Sequence, residues 1–231
     1  MPRTTSANGR TGRPPVTSRA QILAATRTLI DQDGWEKLTI RRLAAELGVG
    51  ATTLYHHIRN KDDLLILLLN DHIDRIERPQ LPAGPRERIL TAALAMHEAL
   101  SAWPWAAEVL TEDGFVGLLD EGALWMVEAI VAGADDHGCT PEQTVDLFRA
   151  VWYFTVGEVL VRARSAHRRA EAEAGRVVFR ESFDASRVPH LAAIGGRWAE
   201  LAARDAYPEG LRILVDGLLA RAVPAAGGTT G

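Results

Sequence analysis

The sequence predicts an all-α fold, with an N-terminal three-helix helix-turn-helix unit ahead of a larger helical domain. Three observations carry this. Apolar residues recur at helical spacing from Ser18 almost to the C-terminus, no stretch shows credible two-residue alternation, and Pro- or Gly-rich breaks separate the helical runs. With 231 residues, 47% hydrophobic and 24% charged, the chain can build a sizeable core in one or two domains. Its longest apolar run, Leu64 to Leu69, is far short of the roughly 18 to 20 residues that span a bilayer. No signal peptide is visible, so a soluble, cytoplasmic protein with no membrane partner is expected. The single Cys139 excludes an internal disulfide and a cysteine-based zinc site.

Residues 1–16, rich in Thr, Gly, Pro and Arg, read as a flexible basic arm. A compact unit is expected over 17–63, a larger helical domain over 64–223 and a flexible tail over 224–231. The first helix starts after Thr17 or Ser18 as N-cap, carries Ile22, Ala25, Leu29 and Ile30 on one face, and stops at Gly34. The second runs from Thr39 to about Gly48 and buries Ile40, Leu43, Ala44 and Leu47. A third covers Ala51 to His57. Asn60 caps a fourth, whose stripe Leu64, Leu65, Leu68, His72 and Ile76 leads to a break at Pro79, Pro82 and Pro85.

Further helices are predicted near 86–102, 105–111, 115–133, 141–165, 189–203 and 208–222. In the fourth of these, apolar residues from Val145 to Val161 cover nearly the whole circumference, which requires burial on several sides. The last shows the stripe Leu211, Leu214, Val215, Leu218 and Ala222. Two such helices from each of two chains can form a four-helix bundle across a two-fold axis, so deleting residues 205–231 should leave a folded monomer unable to bind a two-fold target. Residues 166–187 read as a mobile connection or lid.

The sharpest motif lies between Ile40 and Arg59. Ala44 supplies the small residue where two helices cross, Gly48 the turn, and Leu43, Leu47, Val49, Leu54 and Ile58 the apolar pins. The outward residues of the second helix, Ala51, Thr52, Thr53, Tyr55, His56 and His57, are short or hydrogen-bonding, as suits a helix entering a DNA major groove. The net charge of -4 taken alone opposes this, but it is unevenly distributed. Residues 1–61 carry 10 Lys and Arg against 4 Asp and Glu, whereas residues 62–231 carry 16 against 26. The basic segment can approach phosphate and the acidic remainder is repelled from it.

Residues 17–64, above all LTIRRLAAELGVGATTLYHHIRNKDDLL, resemble the DNA-binding domain of the TetR family of bacterial transcriptional repressors. LYHHIRNK is similar to its tetracycline-repressor branch, as is VWYFTVGEVL (Val151 to Leu160) to that branch's dimerising and ligand-binding helix. The resemblance implies a homodimer, a palindromic operator in double-stranded DNA and a small-molecule effector. It also implies that Arg41 contacts a guanine edge, a role its forked guanidinium suits. Thr39, Thr53, Tyr55 and Lys61 match residues that hold phosphates or neighbouring bases. His57 matches a histidine of the tetracycline branch and His56 stands where that branch often has Trp; either can equally be a structural histidine. Ala51 and Thr52 depart from the branch's Gln-Pro pair, so its operator does not transfer. Gly12-Arg13-Pro14 can reach a minor groove or remain a solvated tail.

Trp103, Trp105, Trp125, Met126, Trp152 and Phe154 are candidates to line a pocket, and Glu158 to recognise a polar ligand group. The alternatives are core packing for the aromatics and an ion pair with Arg162 for Glu158. The Trp103 to Thr111 stretch has no His, and Val161 falls near the family's ligating Glu, so no metal site or cofactor is assigned. A largely apolar or aromatic effector is expected instead. The rival readings are a DNA-binding protein without an effector and an enzyme built on Asp135, Asp136, His137 and Cys139. The loop composition of DDHGCTP and the absence of recognised catalytic motifs disfavour the latter.

Overall fold

Ser18 opens the first helix through a capping box. Its Oγ accepts from the Gln21 N–H at 3.2 Å, and its own N–H donates to Gln21 Oε1 at 2.9 Å. Helix α1 (Arg19–Asp33) buries Ile22, Leu23, Thr26, Leu29 and Ile30. Thr39 caps α2 (Ile40–Glu46), accepting from the Arg42 N–H at 3.1 Å. Helix α3 spans only Ala51–Leu54. The expected continuation to His57 is a tight turn, in which the His57 N–H donates to the Leu54 carbonyl at 2.8 Å. Asn60 Oδ1 accepts from the Asp63 N–H at 2.7 Å and Asp63 Oδ2 from the Arg59 N–H at 2.9 Å, which starts α4 (Lys61–Ile73).

The computed structural model describes residues 17–111, 115–172 and 184–222, and its described residues contain helices and turns but no strand. The chain divides into two compact units between Leu68 and Leu69. The predicted basic arm with its Gly12-Arg13-Pro14, the C-terminal tail and residues 173–183 of the predicted connection lie outside the described residues.

In the first unit, Leu38, Leu43, Leu54, Leu64 and Leu65 are at most 2% exposed. Each such side chain contributes about 2 kcal/mol through the apolar surface it removes from water. The second unit is built on α5 (Pro85–Ala102), α7 (Trp125–Asp136) and α8 (Pro141–Ala172), which pack against one another. Helix α6 (Pro104–Val109) lies on α8, and α11 (Tyr207–Leu219) on α8 and α5. Ala92 and Ala93, both fully buried, leave space for Ile130, Leu147, Val151 and Leu211 in the same core.

Four predicted elements differ. The helix expected over 115–133 is a 3-10 turn at Phe115–Leu118 and then α7 from Trp125. Between them Asp120 Oδ1 accepts from the Ala123 N–H at 3.2 Å, diverting the backbone into a turn. The helix expected over 189–203 breaks into α9 (Pro189–Ile194), a 3-10 turn and α10 (Trp198–Ala202), because Gly195 takes a φ of +53°. Helix α8 continues to Ala172, into the predicted connection. Finally, α11 buries Tyr207, Leu211, Val215 and Leu219 within its own unit. Deleting 205–231 would therefore open the core rather than leave a folded monomer.

The apolar circumference of α8 is covered on one side only. Val151, Trp152, Thr155 and Val159 are buried, while Val145, Tyr153 and Val161 are more than half exposed, as is Ile213 on α11.

Candidate nucleic-acid interface and small-molecule cleft

The turn joining α2 to α3 depends on Gly48, whose φ of +65° favours a residue without a side chain. The Gly48 N–H donates to the Ala45 carbonyl at 3.1 Å and the Val49 N–H to that of Ala44 at 3.0 Å, closing the end of α2. Leu43, Leu54 and Ile58 are buried, with Leu47 and Val49 half-buried, so the pins hold α3 by one face. The opposite face presents Thr52, Tyr55, His56 and His57 to solvent, flanked by half-buried Ala51 and Thr53.

The cations here differ in their partners. Arg41 is exposed and has no ion pair among the described residues, whereas the adjacent Arg42 is paired with Asp33. Lys61 Nζ donates to the Glu36 carbonyl at 3.2 Å and lies 4.8 Å from the Trp35 ring centroid, which fixes its position while leaving its charge uncompensated by a carboxylate. Thr39 uses its oxygen as the α2 cap but retains a hydroxyl proton to donate. Among the nine residues singled out for DNA, Arg41, Thr52, Tyr55, His56 and His57 are thus the freely presented ones.

Two cavities of the second unit that include residues of α4 differ in character. One is a narrow apolar void of about 30 Å³ lined by Leu69, Ile73, Met96, Leu100, Met126 and Trp152 among others. The other is an open cleft of about 480 Å³. The last turn of α4 and the chain after it supply His72, Ile76, Glu77 and Pro79. The outer stripe of α5 supplies Thr91, Leu94, Ala95 and Glu98. Those α5 positions recur at helical spacing, so they form one wall.

Of the residues singled out for a ligand, Met126 and Trp152 meet at the void. Trp103 stacks on His72, with ring centroids 3.8 Å apart, and thereby backs the cleft; Trp105 follows at 5.5 Å from Trp103. Trp125 lies under Arg78, and its buried indole Nε1 has no hydrogen-bond partner among the described residues. Phe154 lines neither of these, whereas Glu158 lines a further cavity of about 300 Å³ with Val161, Arg162, Ser165, Ala202 and Ala203. Phe154 stacks on Tyr207 at 5.3 Å and closes on Gly210 of α11, where a Cβ would lie 2.8 Å from Phe154 Cζ. Glu158 is paired with Arg162, which also donates to the Arg204 carbonyl at 3.0 Å.

Sequence reasoning missed the cleft residues Glu77, Leu94 and Glu98; an exposed apolar and acidic stripe on α5 was the available signal. It also missed the packing around Tyr207, which stacks on His97 at 3.8 Å and shares a 2.8 Å hydrogen bond with Thr155. Burial pushes the Tyr207 hydroxyl up to about 12, and burial also lowers His97 below the ordinary histidine range. The Asp135 to Cys139 stretch is occupied structurally. Asp136 pairs with Arg88 at 2.5 Å, Thr140 caps α8 through Gln143, and burial raises the Cys139 thiol away from reactivity.

Residues 22–68 match the family profile described as "Bacterial regulatory proteins, tetR family", and residues 78–222 the one described as "Tetracyclin repressor-like, C-terminal domain". An HTH-type transcriptional regulator of Saccharopolyspora erythraea is 29% identical over 216 residues, covering 90% of this chain and 87% of its own. The HTH-type transcriptional repressor DrrR1 of Streptomyces coeruleorubidus is 29% identical over 224 residues, covering 90% and 79%. The fold is similar to that of ActR from Streptomyces coelicolor in complex with actinorhodin, with a TM-score of 0.72 at 23% identity, covering 91% of this chain and 98% of that one.

Proposed function

Because the chain belongs to the TetR family of bacterial regulatory proteins and is a DNA-binding transcriptional regulator, we propose that it is a cytoplasmic repressor that binds a palindromic operator as a homodimer and is released by a largely apolar or aromatic small molecule. One observation carries this reading. The same helix, α4, begins in the helix-turn-helix unit and ends in the wall of an open cleft large enough for a small molecule. A ligand that fits the cleft in only one position of α4's last turn would bias a helix the reading unit shares. It could shift the equilibrium only by its preference for that state.

In this reading Arg41 reads a base edge, Thr52, Thr53, Tyr55, His56 and His57 line the groove beside Ala51, and Thr39 and Lys61 hold phosphates. The uncovered face of α8 and α11 is the seam of the homodimer, supported by its exposed Val145, Tyr153, Val161 and Ile213. Of the residues singled out for a ligand, Trp103 backs the cleft through His72 with Trp105 behind it, and Met126 and Trp152 line the apolar void. Trp125 lies under Arg78, Phe154 packs between α8 and α11, and Glu158 pairs with Arg162. The Asp135 to Cys139 stretch before α8 serves the fold, with Asp136 held by Arg88.

Selection of binding sites from random duplex DNA tests the proposal. Enrichment of an inverted repeat, with half-sites about 34 to 36 Å apart on one face of the duplex, is expected. Failure to enrich any site would overturn it. Ile213→Glu should give a folded monomer that loses operator binding, and full affinity in a demonstrably monomeric variant would remove the dimer from the mechanism.

A further inference from the structure

The open cleft carries a chemical signature that its apolar floor alone does not predict. Its lining includes two carboxylates, Glu77 just beyond α4 and Glu98 on α5, and no Lys or Arg. Neither carboxylate has an ion pair or hydrogen bond among the described residues. Elsewhere in the unit Glu108 pairs with Arg164, Asp136 with Arg88, Glu158 with Arg162 and Asp216 with Arg86. The nearby cations are engaged elsewhere: Arg75 donates to Asp71 at 3.1 Å, and Arg78 to the Gly122 carbonyl at 3.1 Å.

The same lining includes Ile76, Leu94 and Ala95, and Leu94 is 38% exposed. The imidazole of His72, backed by Trp103, supplies a flat surface beside them. Among the described residues no three His, Cys, Asp or Glu side chains gather to hold a metal ion. The lining therefore combines apolar contact with uncompensated negative charge, a pairing that favours a bulky organic cation and repels an anion of the same shape.

We infer that the effector taken by this cleft is an amphiphilic organic cation, its apolar body against Ile76, Leu94 and Ala95 and its positive charge between Glu77 and Glu98. This rests on the reading of the cleft as the effector site and specifies the chemistry of that site. Both carboxylates are solvent-facing before binding, so no buried charge has to be maintained in the empty protein.

Tetraphenylphosphonium and tetraphenylborate, near-equal in size and apolar surface but opposite in sign, test the inference by calorimetric titration of the full chain. The phosphonium should bind at least about tenfold more tightly. Glu77→Gln and Glu98→Gln should each weaken it by roughly fivefold and leave the borate no weaker, with melting unchanged because both residues are exposed. Equal affinity for the two ions, or preference for the borate, overturns the inference. Leu94→Trp, which fills the cleft, separates the two levels of failure. If it abolishes equal binding of both ions, the cleft is the site but charge does not select its ligand. If neither ion binds, or both bind regardless of Leu94→Trp, the cleft reading fails as well.

Discussion

The two units use their cations differently. In the helix-turn-helix unit Arg19, Lys37, Arg41 and Arg59 have no carboxylate partner among the described residues, whereas Arg42 is paired with Asp33. In the larger unit Arg75, Arg86, Arg88, Arg162, Arg164 and Arg212 all meet a carboxylate. Both surfaces are rich in charge, but the larger unit sets more of its arginines against its own carboxylates, although Arg187, Arg197, Arg204 and Arg221 remain exposed with no carboxylate partner among the described residues. Counterion release upon phosphate contact rewards the arrangement of the helix-turn-helix unit. Removing a polar group should therefore read out as stability in the larger unit and as DNA affinity in the smaller one.

The largest effect is expected at Tyr207, where the larger unit has turned a polar side chain fully inward. Tyr207→Ala should destabilise the protein by about 3 to 5 kcal/mol, measured by denaturant unfolding, because it empties space against His97 and Phe154 and removes the hydrogen bond shared with Thr155. A loss under about 1 kcal/mol would mean the stack around it is loosely packed.

The same residue gives a pH test. Its hydroxyl is raised from 10 to about 12 on folding, so the folded state retains a proton the unfolded chain has lost. The associated stability is present below pH 10 and disappears as pH rises through about 12, up to about 2 kcal/mol. Thermal melts across that interval should show a steeper decline for the natural protein than for Tyr207→Phe. Parallel declines would remove Tyr207 as the cause.

Arg41→Ala sharpens the other side of the comparison. It should cost about 1 to 3 kcal/mol at the operator and relax base preference at one position, with melting unaltered. An equal loss on every sequence would make Arg41 a phosphate contact, and a lowered melting temperature would place it with the structural cations.

The uneven legibility of the two units follows from contact range. The α2–α3 motif is formed by Ala44, Gly48 and Leu54 within a few residues of one another, so its local pattern is visible in one dimension. Caps such as Ser18, Asn60 and Thr140 are legible for the same reason. The cleft is formed by residues before and after the Pro-rich break, and nothing local announces that Glu77 and Glu98 share a wall. The aromatic Trp152 and the adaptable Met126, both singled out from the sequence, meet at the void, but nothing local signals the separation of Phe154 toward α11. Apolar residues on α8 likewise implied several buried sides, whereas one chain covers only one of them; periodicity reports that a face needs a partner and not which chain supplies it.

The smallest effect is the one that most directly tests the contrast. Arg88 pairs with Asp136 at 2.5 Å and also donates to the carbonyls of Pro82 and Ala83, tying the Pro-rich break to α5 and α7. Its partner is half exposed, so water screens the pair, and Arg88→Ala should cost only about 1 kcal/mol of unfolding free energy. Operator affinity should be unchanged under conditions where the variant is folded. A variant that melts normally yet loses DNA would show that cations of the larger unit also act on the external anion, and the contrast between the two units would fail.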